Sequence, residues 1–277
     1  MNQFSIAAVQ MDCRLMDRAA NLEALRAHLR EAASRGVRLA IFPECVTTGY
    51  CFTSKDEAWP YGEPIPGPTT DALATMCREN DLFAVVGMLE VDGADLFNAS
   101  VLVGPNGIVG SYRKVHLPFL GVDRFTTSGA RPFAVHDIGG LRVGMAICYD
   151  SSFPESARCL MLAGADVVAL PTNWPLGALR TAQLVPAARA MENHIYFAAV
   201  NRVGEERGRK FLGRSSIANP WGDIVAQSDD DEPTILYAKV DVALVRQKHI
   251  VREPGEYELH RLRDRRPALY GPLVEPL

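Results

Sequence analysis

Three residues of different chemistry stand where apolar runs of the chain stop. Glu44 follows a run that breaks at Pro43, Lys114 closes a second, and Cys148 ends a third, Gly144-Met-Ala-Ile-Cys148. A thiol becomes a strong nucleophile once its proton is removed. A carboxylate can remove that proton if burial lifts its pKa toward neutrality, and an ammonium can hold the charge that develops on an attacked carbonyl oxygen. If the fold brought them together, the three side chains could attack a carbonyl and hold a covalent intermediate on the thiol. Each also has a plain structural reading. Cysteine is commonly buried, and glutamate and lysine at strand ends commonly face water. Their shared place at the carboxyl ends of strands, where α/β sheets build sites, favours the chemical reading. The main-chain N–H of Tyr149, just past the thiol, would be free to face an oxyanion.

The periodicity supplies the elements that must carry them. Residues 4–10 read as a strand and residues 37–42 as another. Between them, residues 21–35 place Leu22, Leu25, Leu29 and Ala32 at helical spacing before Gly36. Residues 60–68 are Pro/Gly-rich loop, 69–80 a helix, and 82–89, 96–103 and 108–115 strands, with a turn at Pro105-Asn-Gly107. Residues 117–131 show no period. The opening pattern then recurs: strand 141–147 ending at Cys148, helix 153–163, and strand 167–170 stopped by Pro171. A helix ends near Asn193 with Pro186 in its first turn or at a break. Strands follow at 195–200, 217–219, 224–226 and 235–240, then a helix at 242–250 and an irregular polar tail, residues 251–277. Alternating helices and strands with some consecutive strands imply mixed sheets covered by helices, in one domain spanning 1–277. The repeated strand–helix–strand pattern hints at two layered halves.

The segments Phe42-Pro-Glu-Cys-Val-Thr-Thr-Gly-Tyr50, Tyr112-Arg-Lys-Val-His-Leu-Pro118 and Val143-Gly-Met-Ala-Ile-Cys-Tyr-Asp150 resemble, in this order, the nitrilase or carbon–nitrogen hydrolase superfamily. Phe153-Pro-Glu-Ser-Ala-Arg158, Gly164-Ala-Asp166, Leu170-Pro-Thr-Asn-Trp-Pro175, Arg189-Ala-Met-Glu-Asn193, Ser215-Ser-Ile217 and Arg263-Asp-Arg-Arg-Pro-Ala-Leu-Tyr270 extend the likeness over nearly the whole chain. The resemblance implies a four-layer α-β-β-α sandwich with mixed sheets, a homodimer or higher homo-oligomer, and no cofactor or metal. It assigns Cys148 as nucleophile, Glu44 as general base and then acid, and Lys114 as oxyanion stabiliser. Many similar enzymes carry a second glutamate after the lysine. Here that loop has none, and Asp123, one methylene shorter, is the nearest substitute.

For substrate contact the sequence offers Tyr50, Phe153, Asn173 and Trp174, the last two just past the strand that follows Cys148's. His116, two residues from Lys114, reads as a hydrogen bond supporting the lysine loop, although a Cys–His pair is the alternative. His194 reads as structural, and Arg189 and Glu192 as a pair on one helix face.

Composition narrows the setting. The 277 residues are 48% apolar and 22% charged, with a net charge of −4 and signs interspersed, which excludes a nucleic-acid groove. No apolar run approaches a membrane span, and the start lacks a signal pattern, so a cytoplasmic protein is expected. The six cysteines are expected to be free thiols, with no zinc spacing among them. The expected reaction is cleavage of a small linear amide or ureido compound through a Cys148 thioester. The alternatives are nitrile hydrolysis, a papain-like hydrolase using His116, and a non-catalytic protein retaining the fold.

Overall fold

A computed structural model describes residues 3–275. In chain order, β1 (Gln3–Gln10), α1 (Arg18–Ser34) and β2 (Leu39–Ile41) are followed by α2 (Lys55–Ala58), α3 (Pro68–Asn80), β3 (Phe83–Asp92), β4 (Asp95–Gly104) and β5 (Gly107–Arg113). Next come β6 (Val135–Asp137), β7 (Arg142–Met145), α4 (Pro154–Leu162), β8 (Val167–Thr172), α5 (Leu179–Asn193) and β9 (Tyr196–Asn201). The short hairpin β10 (Glu205–Glu206) and β11 (Arg209–Lys210) precedes β12 (Ser216–Ala218), β13 (Ile224–Gln227), β14 (Thr234–Asp241), α6 (Val242–Arg246), β15 (His249–Glu253) and β16 (Tyr257–His260).

Local chemistry sets the helix ends. The Asp17 carboxylate accepts the Ala20 N–H at the start of α1, and Leu25, Leu29 and Ala32 form its buried stripe. Pro68 opens α3, where its missing N–H costs nothing, and Asp81 closes it in the left-handed region.

The strands form two six-stranded mixed sheets, ordered β14-β1-β2-β3-β4-β5 and β13-β12-β9-β8-β7-β6. From β14 the first sheet pairs antiparallel, parallel, parallel, antiparallel, antiparallel. From β6 the second repeats that sequence. The two halves suggested by the recurring pattern are therefore real, with β1 matching β7, β2 matching β8 and β3 matching β9.

Strand alternation divides the first sheet's side chains. Ala7, Val9, Ala40, Phe42, Ala84 and Val86 pack on Leu25 and Leu29 of α1 and Leu73 and Met76 of α3. Ile6, Ala8, Leu39, Ile41, Val85 and Leu102 share a core with Val143, Met145, Val167 and Ala198 of the second sheet, which also takes in Leu160 of α4 and Ala182 and Ala190 of α5. The fold is the mixed α/β architecture with helices expected from the sequence.

Several boundaries differ. The strand expected at 141–147 ends at Met145, and Cys148 opens a 3₁₀ turn, Cys148–Ser152. Pro186 lies inside α5 rather than at its start. It shares a buried stripe with Ala182, Ala190 and Asn193, so packing of the ring offsets the lost hydrogen bond. The helix expected at 242–250 stops at Arg246, and the tail from residue 251 is not wholly irregular: β15 and β16 pair antiparallel across Pro254-Gly255. Its last two residues lie outside the described ones. The strand β6 and the hairpin β10–β11 had no counterpart in the reading of the sequence.

Candidate active site

Glu44 leaves β2 through Phe42 and Pro43, and its loop folds back directly on β3. A Cβ added at Gly87 of β3 would lie 2.5 Å from the Cys45 N, 2.6 Å from the Pro43 O and 2.7 Å from the Glu44 Cα. Only glycine lets these backbones approach so closely. Lys114 follows β5, and its N–H extends the ladder to the Asn98 O at 2.8 Å.

Both side chains are fully buried, as a pair. Lys114 Nζ donates to Glu44 Oε1 at 2.7 Å and to Asp123 Oδ2 at 2.6 Å. Asn98 Nδ2 donates to Glu44 Oε1 at 2.7 Å and to Asp123 Oδ1 at 2.8 Å. Two donors and two carboxylates thus close a ring. Tyr50 Oη adds a hydrogen bond to Asp123 Oδ2 at 2.8 Å. Glu44 Oε2 is buried without a hydrogen-bond partner.

Cys148 stands in the left-handed region, φ 45°, and is 6% exposed. Asp150, two residues on, fixes its turn to the lysine strand. Asp150 Oδ2 accepts from the Ile147 N and from Tyr112 Oη, each at 2.8 Å. Its Oδ1 accepts the His116 N–H at 3.1 Å and lies 2.7 Å from His116 Nδ1. Tyr112 and His116 flank Lys114 by two residues on either side, so one carboxylate registers the Cys148 turn against the lysine. Arg189 Nε steadies the same turn from α5 through the Ser151 O, at 3.0 Å, and also pairs with Glu192 at 3.1 Å.

Burial governs the titration. It raises the Glu44 pKa, against the pull of Lys114 and Asn98. Burial opposes the Lys114 charge, but Asp123 and Glu44 outweigh it and hold its pKa well above the ordinary value. Burial and then the Glu44 charge push the Cys148 thiol well up, against Lys114 and the main-chain N–H of Asn173. The thiol thus holds its proton more tightly than an ordinary cysteine does.

The ring joins Glu44, Lys114 and Asp123, and Glu44 and Lys114 are among the charges that act on the Cys148 thiol. The four residues read as substrate contacts fall differently. Tyr50 is 1% exposed and commits its hydroxyl to Asp123. Trp174 is 4% exposed within the shared core. Asn173 gives Nδ2 to the Glu44 main-chain O at 3.0 Å, while its Oδ1 is buried without a partner. Phe153 is half-buried and stacks on His116, centroids 3.8 Å apart. Tyr149 is half-exposed beside Cys148, its ring edge-on to Phe153. His194 caps α5 and bonds to the carbonyls of Pro220 and Leu244, as a structural residue should.

Three supporting groups went unread in the sequence. Asn98 was hidden inside a strand; a polar residue in an apolar run was the available signal. Asp150 sat in a quoted motif without a role. Glu206 Oε2 accepts the Tyr50 and Cys51 N–H groups at 2.9 and 2.8 Å, and its other oxygen pairs with the fully buried Arg202. All six cysteines are free, and no group of three or more His, Cys, Asp or Glu among the described residues is placed to hold a metal ion. No described helix is long and apolar enough to cross a membrane.

The fold combines two mixed sheets with a buried acid–amine pair and a buried thiol. Residues 5–249 match the carbon–nitrogen hydrolase family model, and the chain belongs to that family. It is 39% identical over 246 residues to a nitrilase from Pyrococcus abyssi, covering 88% of this chain and 92% of that one. It is 30% identical over 279 residues to the omega-amidase NIT2-A of Xenopus laevis, covering 95% and 96%. Among solved structures it is similar to an amidase from Nesterenkonia sp. AN1, a variant carrying acrylamide on its active-site cysteine. That likeness has a TM-score of 0.75 at 25% identity, over 85% of this chain and 92% of that one. The protein is accordingly a hydrolase of carbon–nitrogen bonds other than peptide bonds.

Proposed function

We propose that the protein hydrolyses a small linear amide or N-carbamoyl compound through a thioester on Cys148. One observation carries this reading: within the buried Glu44–Lys114–Asp123–Asn98 ring, Glu44 Oε2 alone is a carboxylate oxygen without a donor. As the sulfur attacks the carbonyl carbon, the thiol proton passes to Glu44 Oε2. Lys114 gives two of its three hydrogens to the ring, leaving the third for the developing oxyanion with the Tyr149 N–H. One such donor is worth about 3–4 kcal/mol in the transition state. Protonated Glu44 then gives its proton to the departing nitrogen, which leaves as ammonia or an amine. Water, deprotonated by Glu44, cleaves the thioester and restores the thiol.

Asp123 keeps Lys114 charged when Glu44 is neutral, which answers the shorter side chain: the lysine loop brings it within 2.6 Å. Asn173 Oδ1 and the Phe153 ring supply the substrate contacts. The Cys–His alternative finds less support, since the His116 ring is engaged by Asp150 and Phe153.

Nitrile hydrolysis is the second reading, favoured by the 39% identity to a protein named nitrilase. There the same thiol adds to the nitrile carbon, and two waters are consumed for each acid and ammonia released. A screen of small amides, ureido acids and nitriles for ammonia release, wild type beside Cys148→Ala, decides between them. Equal rates in both proteins for every class would end the reading.

A homodimer built on the tail and α5 accompanies this proposal. Exposed Leu184, Met191, Leu269 and Val274 supply the apolar surface.

A further inference from the structure

Asn98 has no part in the reaction as written, yet it lies fully buried in β4 and touches both carboxylates of the ring. Each of its two amide hydrogens goes to a different one, Glu44 Oε1 at 2.7 Å and Asp123 Oδ1 at 2.8 Å. Its Oδ1 lies 3.5 Å from Cys45 Sγ, which donates to it. That contact fixes the amide's direction, because a flipped amide would set its oxygen against two carboxylates.

The donors can now be assigned oxygen by oxygen. Asp123 has Lys114 and Tyr50 on Oδ2 and Asn98 on Oδ1. Glu44 has Lys114 and Asn98 on Oε1 and nothing on the buried Oε2. A proton on Glu44 Oε1 or Asp123 Oδ2, each already accepting two hydrogen bonds, would break one of them in a buried site, and Asp123 as a whole is held ionised by three donors against two for Glu44. A proton on Glu44 Oε2 displaces nothing.

We propose that Asn98 is a positioning residue that confines the site's exchangeable proton to Glu44 Oε2, the one carboxylate oxygen left free for the nucleophile's proton. The proposal rests on Glu44 acting as the base. The groups facing Glu44 are Lys114 after β5, Asp123 in the lysine loop, Cys148 after β7, and Cys45 and Tyr50 of its own loop. Asn98 is the uncharged donor among them, and its bond favours the ionised carboxylate. Without it, ionised Glu44 loses a partner and its proton can settle on an oxygen that serves no transfer.

The test uses Asn98→Ala and Asn98→Asp with an amide that gives Cys148-dependent ammonia release. In Asn98→Ala, kcat should fall about 10- to 100-fold with KM nearly unchanged, since the side chain does not reach substrate. The acidic limb of kcat/KM should move up by about one pH unit. Asn98→Asp sets a third carboxylate beside the first two and should move the limb further. For a variant too unstable for steady-state assay, the pH dependence of Cys148 alkylation by chloroacetamide, read by mass spectrometry, reports the same limb. Activity reduced by one factor at every pH, with the limb unmoved, overturns the proposal and leaves Asn98 a strand prop. If Cys148→Ala is inert while the limb stays in place, this proposal alone fails. If Cys148→Ala turns over like wild type, the thiol reading fails and takes the proposal with it.

Discussion

Asn173 donates its side-chain amide to the main-chain carbonyl of Glu44 at 3.0 Å, and the two residues occupy matching places in the two halves of the fold. Glu44 follows β2 and Asn173 follows β8, the third strand of each sheet counted from β14 and from β6. Asn173 thus ties one half's loop to the other's at Glu44, and in the proposed reaction its unpartnered Oδ1 would take a substrate N–H. Asn173→Ala should raise KM about tenfold and cost about 1 kcal/mol of stability. Steady-state kinetics and urea melts on one preparation check this; a variant with lowered stability and unchanged KM would show that the latch is its whole role.

Glu44→Gln removes the proposed base but keeps an oxygen for Lys114 and Asn98. Turnover should fall by about 100-fold or more. Stability should change with pH in a definite direction. The folded-state pKa of Glu44 is raised, so its contribution is fully present below the unfolded value, about 4.3, and is lost as pH rises through the raised value. The glutamine variant has no such loss. Its Tm relative to wild type should therefore climb between acid and neutral pH. A relative Tm that falls over the same range would contradict the assignment.

Lys114→Met leaves two buried carboxylates facing each other with no cation between them. Removing one partner of a buried ion pair costs about 3–5 kcal/mol. The orphaned carboxylates would also bind protons more readily in the folded state than in the unfolded one. The deficit should then be smaller at pH 5 than at pH 8. Denaturant melts at the two values check this, and equal deficits would show that the carboxylates do not sense the missing charge.

The sequence singled out the three candidate groups for a physical reason. An apolar run that breaks at proline or a turn ends a buried strand, and a polar residue at that end stands where sites are built. Glu44, Lys114 and Cys148 all carried that mark. Asn98 did not, because it acts from the middle of a strand, and only its partners 54 and 25 residues away explain a buried amide there. Burial was likewise hidden: nothing local distinguishes the sealed Lys114 from a lysine at a solvated strand end. The tail hairpin was overlooked although Pro254-Gly255 between residues of alternating polarity is a turn signal. A helical period at 242–246 simply ran on into it.

Gly87 is another position that only the structure brings out. It is a strand glycine whose missing side chain lets the Glu44 loop lie against β3. Gly87→Ala must displace backbone rather than a flexible side chain. A cost of about 1–3 kcal/mol and a loss of turnover larger than the loss of folded protein are expected. Ammonia release normalised to the folded fraction by circular dichroism measures both, and normalised activity equal to wild type would free the Glu44 loop from this constraint.

The acyl-enzyme itself tests the central claim most directly. Protein quenched in acid during turnover of a small amide, digested and analysed by mass spectrometry, should carry the acyl group on the peptide containing Cys148, and Cys148→Ala should carry none. Turnover with no acyl group on that peptide, sustained in Cys148→Ala, would contradict the account.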